Sequence, residues 1–321
     1  MEKIELSIVV PMYNEQDNVS ETHRKIHEAI DPLNIKWELI FVNDGSIDNT
    51  LSVVSEVAEK DPVLKIVSYL PNRGRGYALR QGFNAANGEY ILSIDFDLSY
   101  DADHLVRMYQ YLKEHPEADV VLGSAYMKGG EVIGVPKFRL FISKLGNLML
   151  RLAFPWHIHT ITCVLRGYRK EAIKSLALVA DGKEIHLEIL SKVLDLGYKV
   201  AEIPATLTAR RKGTSKFKFK KTSLTHLAFL FFEKPIVVFG IFGTFLLFGG
   251  ILTGLFITYL RFTGKLNPGR PLTFLTIILI VAGIQLLSFG LIAILLREQR
   301  REIYRLQQNQ NKLSNYLINK N

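Results

Sequence analysis

Cysteine is nearly missing from the chain: Cys163 stands alone in 321 residues, so no intrachain disulfide can form, and a reducing compartment fits. The start of the chain lacks the basic head and apolar core of a secretory leader. Met1-Glu2-Lys3-Ile4-Glu5-Leu6 runs straight into the strand-like Ser7-Ile8-Val9-Val10, and residues from position 1 onward are expected to belong to the folded part. Internal repeats and low-complexity tracts are missing too. Acidic residues are fewer than basic ones, 31 against 40, for a net charge of +9. That balance points to an anionic partner: nucleic acid, membrane lipid or a phosphorylated substrate. Hydrophobic residues reach 48%, which excludes a disordered chain.

Charge is absent altogether from two long stretches, Pro235 to Leu260 and Leu272 to Leu296. Each exceeds the roughly 20 residues needed to cross a bilayer. A pair of buried core helices is the alternative, and apolar residues on every face argue against it. The connection between them carries Arg261, Lys265 and Arg270. Before the first stretch come Arg210, Arg211, Lys212, Lys216, Lys218, Lys220 and Lys221, and after the second come Arg297, Arg300, Arg301 and Arg305. Counting basic residues in the flanks predicts that both flanks are cytoplasmic and the connection external. The expected organisation is a cytoplasmic domain over 1–221, an interfacial amphipathic helix over 222–234, a first transmembrane helix over 235–260, an external loop over 261–271, a second transmembrane helix over 272–296 and a cytoplasmic tail over 297–321. For 222–234, a helix packed on the soluble domain is the other reading. The concentration of positive charge beside the apolar stretches favours a membrane surface over nucleic acid.

Residues 1–209 alternate β-branched runs with amphipathic stretches. Strands are expected near 5–10, 37–43, 64–68, 89–94, 118–122 and 198–206, and helices near 15–31, 48–59, 76–86, 102–114, 136–153 and 183–196. This alternation predicts an α/β domain with a mainly parallel sheet, whose ligands bind at the carboxyl ends of the strands.

Four motifs fall at such ends. Pro11-Met12-Tyr13-Asn14-Glu15 follows the first strand, and Asn43-Asp44-Gly45-Ser46 follows the second. A short carboxylate there can accept hydrogen bonds from a base or ribose, although a turn followed by a helix cap explains Asp44 or Ser46 as well. Asn72-Arg73-Gly74-Arg75-Gly76 follows the third strand; its glycines let backbone approach an anion and its arginines suit phosphate. The Lys-Ser/Thr ending of a Walker loop is missing from it. Ile94-Asp95-Phe96-Asp97 projects two carboxylates from the fourth strand. They suit a hard divalent cation shared with a diphosphate, or are a pair of solvated turn acids.

Together these motifs resemble glycosyltransferase family 2 over about residues 4–220. More narrowly, they are similar to its polyprenyl-phosphate glycosyltransferases. The narrower likeness rests on Gly123-Ser124-Ala125-Tyr126, Lys128-Gly129-Gly130, Pro136, Arg139 and Ser143; on Arg210-Arg211-Lys212-Gly213-Thr214-Ser215-Lys216; and on Gln285-Leu286-Leu287-Ser288-Phe289-Gly290 in the second apolar stretch. The resemblance implies a nucleotide-sugar-binding fold of the GT-A type, followed by a two-helix transmembrane hairpin. It implies inverting transfer of a sugar from a UDP- or GDP-sugar to dolichyl or undecaprenyl phosphate. Pro11, Tyr13, Glu15, Asp44, Arg73 and Gly74 would hold the nucleotide. Asp95 and Asp97 would bind Mg²⁺ or Mn²⁺ and, with Arg210, act in catalysis. Arg139, Ser143, Arg210 and Lys216 would grip the acceptor phosphate. A homo-oligomer is compatible with all of this.

Three positions depart from the family pattern. Ala125 stands where an arginine is frequent, Ser99 where a side chain that helps with metal is frequent, and Thr160 where an aspartate is usual; His157 and His159 lie close to Thr160. A zinc site from His157, His159 and Cys163 lacks a fourth ligand. Trp37 and Trp156, the only tryptophans, do not complete the Gln-x-x-Arg-Trp motif of processive polysaccharide synthases. Transfer to another membrane lipid and a non-catalytic scaffold that binds nucleotide-sugar or lipid are the competing readings.

Overall fold

The computed structural model of the chain describes residues 3–151, 154–155, 157–209, 235–265 and 271–318. It divides into two compact units, Met1–Thr225 with Tyr304–Asn321, and His226–Ile303.

The first unit is built on a seven-stranded sheet. Its strands are β1 (Leu6–Met12), β2 (Trp37–Asp44), β3 (Leu64–Tyr69), β4 (Tyr90–Ser93), β5 (Val120–Ser124), β7 (Arg166–Arg169) and β8 (Val200–Pro204), in the spatial order β3-β2-β1-β4-β7-β5-β8. Every neighbouring pair is parallel except those made by β7, which runs antiparallel between β4 and β5. The parallel strands carry long β-branched runs because helices cover both faces: β1 and β2 are almost wholly buried. Connecting helices are α1 (Val19–Ile30), α2 (Thr50–Ala58), α3 (Arg75–Ala85), α4 (Asp103–Glu114), α5 (Lys137–Arg151), α6 (Lys170–Lys174) and α7 (Ile185–Asp195). A second, two-stranded sheet pairs β6 (Glu131–Ile133) with β9 (Thr206–Thr208).

The chain winds outward from β1 through β2 to β3, then returns to lay β4 on the other side of β1. That reversal leaves a crevice at the carboxyl ends of β1, β2 and β4, where the motif residues sit.

The six expected strands and six expected helices all form, within a few residues of the expected bounds. Short β6 and β9, the five-residue α6 and the central strand β7 were not anticipated. Nothing in Arg166-Gly167-Tyr168-Arg169 looks like an interior strand. Its second position favours glycine, because a Cβ on Gly167 would lie 2.7 Å from the Leu92 side chain and 2.8 Å from that of Val121 and would push both aside. Its arginines are satisfied by backbone: Arg169 Nε donates to Ala118 O at 2.8 Å and Nη2 to Leu112 O at 2.6 Å.

At the opposite end of the sheet, Glu38 is buried. Its Oε1 accepts from Ser7 Oγ and from the Asn87 N–H, both at 2.6 Å, while Lys65 Nζ lies 2.5 Å from Oε2. Burial alone would raise this carboxyl. The Lys65 ammonium and the hydrogen bonds from Ser7 and Asn87 outweigh it and hold the pKa below the ordinary 4.5. The stabilisation is therefore complete above about pH 4.5 and lost as the pH falls through the lower, folded-state value. Glu38→Gln should lower the melting temperature at pH 7 and flatten its decline between about pH 5 and 3, as read by thermal unfolding in detergent.

The second unit contains α8 (Pro235–Phe262) and the first part of α9 (Pro271–Ile318). Both helices are long and apolar enough to cross a membrane, and their apolar faces are largely exposed. Polar contact between them is made by Thr276 Oγ1 donating to Thr253 Oγ1 at 3.0 Å. The helix α9 continues without a break past residue 296, where the sequence separates span from tail. Segment 222–234 lies outside the described residues.

Candidate active site

A cavity of about 520 Å³ opens at the crevice between β1, β2 and β4. Pro11 lines it from β1, Tyr13 and Glu15 from the loop that follows, Asp44 from β2, Gly74 from the loop after β3, Arg75 from the start of α3, and Asp95 and Asp97 from the segment after β4. Ser143 and Leu140 enter from α5, and Lys183 from the turn before α7.

The loops that carry these residues are bound to one another. Asn14, with φ +53, donates its N–H to Ser46 Oγ at 2.9 Å and accepts from the Ile47 N–H at 2.9 Å. The Glu15 N–H donates to Thr50 Oγ1 at 2.9 Å. This fixes the β1 loop against the β2 loop. Asp44, 4% exposed, does the same for the β3 loop. Its carboxylate accepts from Tyr69 Oη at 3.0 Å, Asn72 Nδ2 at 2.9 Å, the Arg73 N–H at 2.8 Å and the Gly74 N–H at 2.9 Å. Gly74 adopts φ +104, and a Cβ there would lie 2.6 Å from Asp181 O, so only glycine lets this loop settle against the turn that carries Lys183.

Of the two arginines in the loop, Arg75 faces the cavity and its Nη2 lies 3.1 Å from Asp95 Oδ1. Arg73 does not line the cavity. Its guanidinium stacks 3.7 Å above the Tyr77 ring and lies 3.7 Å from Asp181 Oδ2. Side-chain spacing alone could not separate the two, because the choice is made by Tyr77 and Asp181.

Asp97 is held by Ser99, whose Oγ donates to Asp97 Oδ1 at 2.6 Å and whose N–H donates to the same atom at 3.0 Å. Ser99 is held in turn: its carbonyl accepts from the Thr208 N–H at 2.8 Å and from Thr208 Oγ1 at 3.0 Å. On the other side, Thr22 Oγ1 donates to Phe96 O at 2.7 Å. The two carboxylates are thus fixed from α1 and from β9. Ser99, which departs from the family pattern, orients an acid here. The hard carboxylate oxygens of Asp95 and Asp97 in the lining fit Mg²⁺ or Mn²⁺ as a donor set.

The acceptor residues inferred from the sequence are reached only in part. Ser143 lines the cavity and shares a 2.8 Å hydrogen bond with Tyr126 Oη. The side chain of Arg139, and all of Arg210 and Lys216, lie outside the described residues. The lining is apolar at Val132, Val135, Pro136, Leu140 and Leu207. Along α5, Phe141, Leu145 and Leu148 form an exposed apolar stripe with helical spacing.

Thr160 does not face the cavity; its hydroxyl shares a buried 2.7 Å hydrogen bond with Ser124 Oγ. Glu202, which the sequence did not single out, organises the neighbouring turn. Its Oε1 accepts from the N–H groups of His159 and Thr160, and its Oε2 lies 2.8 Å from His159 Nδ1. Cys163 Sγ points to the carbonyls of Thr160 and Leu165, and burial raises its thiol pKa. Among the described residues, His157, His159 and Cys163 form no metal-ligand cluster.

The family model described as Glycosyl transferase family 2 matches residues 7–177. Dolichol-phosphate mannosyltransferase of Pyrococcus furiosus is 33% identical over 220 residues, covering 68% of this chain; the match spans 60% of that protein's length. Dodecaprenyl-phosphate galacturonate synthase of Rhizobium johnstonii is 29% identical over 311 residues, covering 91% of this chain and 88% of that protein. In fold, the chain resembles glucosyl-3-phosphoglycerate synthase from Mycobacterium tuberculosis, solved with Mn²⁺, uridine diphosphate and phosphoglyceric acid. The TM-score is 0.54 at 20% identity, covering 71% of this chain and 78% of that one.

Proposed function

The chain belongs to glycosyl transferase family 2, and on that premise we propose that it transfers a sugar from a nucleotide-sugar donor to a polyprenyl phosphate, with inversion at the anomeric carbon. The observation that carries this reading is the mixed lining of the cavity. Part of the lining is charged, Asp44, Asp95, Asp97, Arg75 and Lys183, and part is apolar, Val132, Val135, Pro136, Leu140 and Leu207; α5, which contributes Leu140 and Ser143, also carries the exposed Phe141, Leu145 and Leu148. A polar, charged donor and a lipid acceptor need those two kinds of lining.

In this reading Pro11, Tyr13, Glu15, Asp44 and Gly74 hold the nucleoside, and Arg73 fixes the loop. Arg75 and Lys183 place positive charge beside the donor diphosphate. Asp95 and Asp97 would hold Mg²⁺ or Mn²⁺, which when bound would neutralise the departing diphosphate. Ser143, with Arg139, Arg210 and Lys216, receives the acceptor phosphate. That phosphate is a monoester, largely dianionic at neutral pH given a second pKa near 6. It attacks the anomeric carbon, the bond from that carbon to the diphosphate oxygen breaks, and nucleoside diphosphate leaves. No strong general base is required, so the protein's contribution is positioning and charge compensation. The basic flanks favour a cytoplasmic catalytic domain and cytoplasmic termini on a two-span anchor, and the exposed Phe141, Leu145 and Leu148 stripe of α5 suits an apolar surface.

The test is a panel of UDP- and GDP-sugars, each offered with a short polyprenyl phosphate or with diacylglycerol. Label from one donor should appear in the polyprenyl lipid and not in diacylglycerol. Label in diacylglycerol alone would move the protein to another acceptor. No product with either, despite nucleotide-sugar binding, would make it a binding scaffold.

A further inference from the structure

At the amino-terminal end of the sheet, away from the cavity, two imidazoles and a carboxylate converge. His23 and His27 lie four residues apart on one face of α1. Asp61 comes from the turn between α2 and β3. Its Oδ2 lies 2.8 Å from His23 Nε2 and 2.9 Å from His27 Nε2. Its Oδ1 accepts from the Val63 N–H at 2.9 Å, which fixes the plane of the carboxylate. The three ligand atoms all lie within 4.8 Å of one another, and the groups are partly shielded from solvent.

We propose that His23, His27 and Asp61 form a binding site for a divalent transition-metal cation, Zn²⁺ by the chemistry of its donors, separate from the Asp95 and Asp97 pair. Two imidazole nitrogens and one carboxylate oxygen suit Zn²⁺ with a water in the fourth position, whereas Mg²⁺ takes oxygen ligands. Zinc–ligand bonds of about 2.0–2.1 Å in a tetrahedron separate the ligand atoms by about 3.3 Å. Binding widens the two Asp61 contacts by about 0.5 Å and sets the two Nε2 atoms, now within 4.8 Å of each other, about 3.3 Å apart.

A second carboxylate completes the arrangement. Asp31 Oδ2 lies 2.9 Å from His27 Nδ1. A hydrogen bond there places the proton on Nδ1 and directs the Nε2 lone pair toward the cation, as acceptors behind metal-bound histidines do. The His27 ring also packs edge-on against Trp37, with centroids 4.8 Å apart, so its orientation is fixed from two sides. Asp31 and Asp61 together supply two negative charges for a doubly charged ion.

The site joins the last turns of α1 to the segment that enters β3 three residues after Asp61. Its effect is to pin two connections at the foot of the sheet, which stabilises the domain and leaves the transfer chemistry to the opposite end.

The test uses tag-free, full-length protein in detergent carrying Asp95→Asn and Asp97→Asn, so that any metal counted is not at the donor site. After dialysis against buffered Zn²⁺, elemental analysis should give one zinc per chain. Co²⁺ in its place should give the intense visible absorption of a four-coordinate site. His23→Gln and Asp61→Asn should each abolish both signals, and Zn²⁺ should raise the melting temperature by about 5 °C only when the three ligands are intact. Asp31→Asn should weaken the affinity about tenfold without abolishing it. Melting without metal checks that each variant is folded; if His23→Gln is not, Asp61→Asn decides. Zinc content unchanged in a folded ligand variant, or no zinc and no cobalt absorption in the protein with all three ligands, would overturn the proposal.

Discussion

Asp97→Asn is expected to slow sugar transfer roughly 10³-fold, about 4 kcal/mol of transition-state stabilisation, while leaving the melting temperature within about 2 °C. Asp97 lines the cavity, where Ser99 and Thr208 hold it in place. In the proposed reaction, removing one negative oxygen there would weaken the grip on a divalent cation, and it creates no cavity in the core. The loss should fall on kcat, because the charge it compensates develops as the diphosphate departs. Ser99→Ala leaves the carboxylate present and only frees its orientation, so a loss of about tenfold is expected. A Ser99→Ala loss as large as that of Asp97→Asn would mean that Ser99 contacts the donor or the metal itself. Steady-state kinetics with saturating acceptor separate these cases.

Arg166→Met is expected to destabilise the first unit by about 4 kcal/mol, a fall of about 10 °C in melting temperature. Arg166 is 0% exposed, yet its guanidinium donates to three backbone carbonyls: Nε to Cys163 O and Nη1 to His186 O, both at 2.9 Å, and Nη2 to Ile161 O at 2.5 Å. It thereby ties β7, the turn that precedes it and the first turn of α7 together. Methionine fills similar volume but removes the guanidinium donor from the Cys163, Ile161 and His186 carbonyls in a buried place, the first two of which lie in the turn before β7, outside any helix. Lysine restores the charge without the planar fork and should recover less than half of the loss. Because Arg166 pairs with Ser93 at the end of β4, two residues before Asp95, activity should fall at temperatures where the protein is still folded. A melting shift under about 2 °C for Arg166→Met would contradict the structural role.

What the sequence disclosed follows from the physics of its parts. Strands such as Ser7 to Val10 and Leu39 to Val42 are dense in β-branched residues because both faces of a parallel strand are buried, and that composition is visible without a structure. Once those strands are placed, Pro11, Asp44 and Asp95 fall at their ends, so their convergence on one cavity was legible. Strand β7 was not, because its credentials are non-local: Gly167 matters only beside Leu92 and Val121, and Arg166 only beside carbonyls up to twenty residues away. The same holds for Lys183, brought to the cavity by the packing of the 180–182 turn on Gly74, and for Glu202, whose partners are backbone N–H groups of a distant turn. The choice between Arg73 and Arg75 depended on Tyr77 and Asp181 in the same way. The basic cluster over 210–221 points by composition and position to an anionic partner at a membrane surface, but it lies outside the described residues.

Transfer of a sugar to the phosphate of a polyprenyl lipid makes a phosphodiester, and phosphorus NMR of the organic-extractable product reads that bond directly. The purified protein would be given its donor, a divalent cation and a short polyprenyl phosphate, and the lipid recovered. A single phosphodiester signal replacing the monoester, with the sugar's anomeric configuration opposite to that of the donor, is the expected result. A coupled pair of diphosphate signals would show that sugar phosphate had been transferred instead, and an untouched monoester beside a newly glycosylated lipid would show that the acceptor is not the phosphate; either would contradict the proposed reaction.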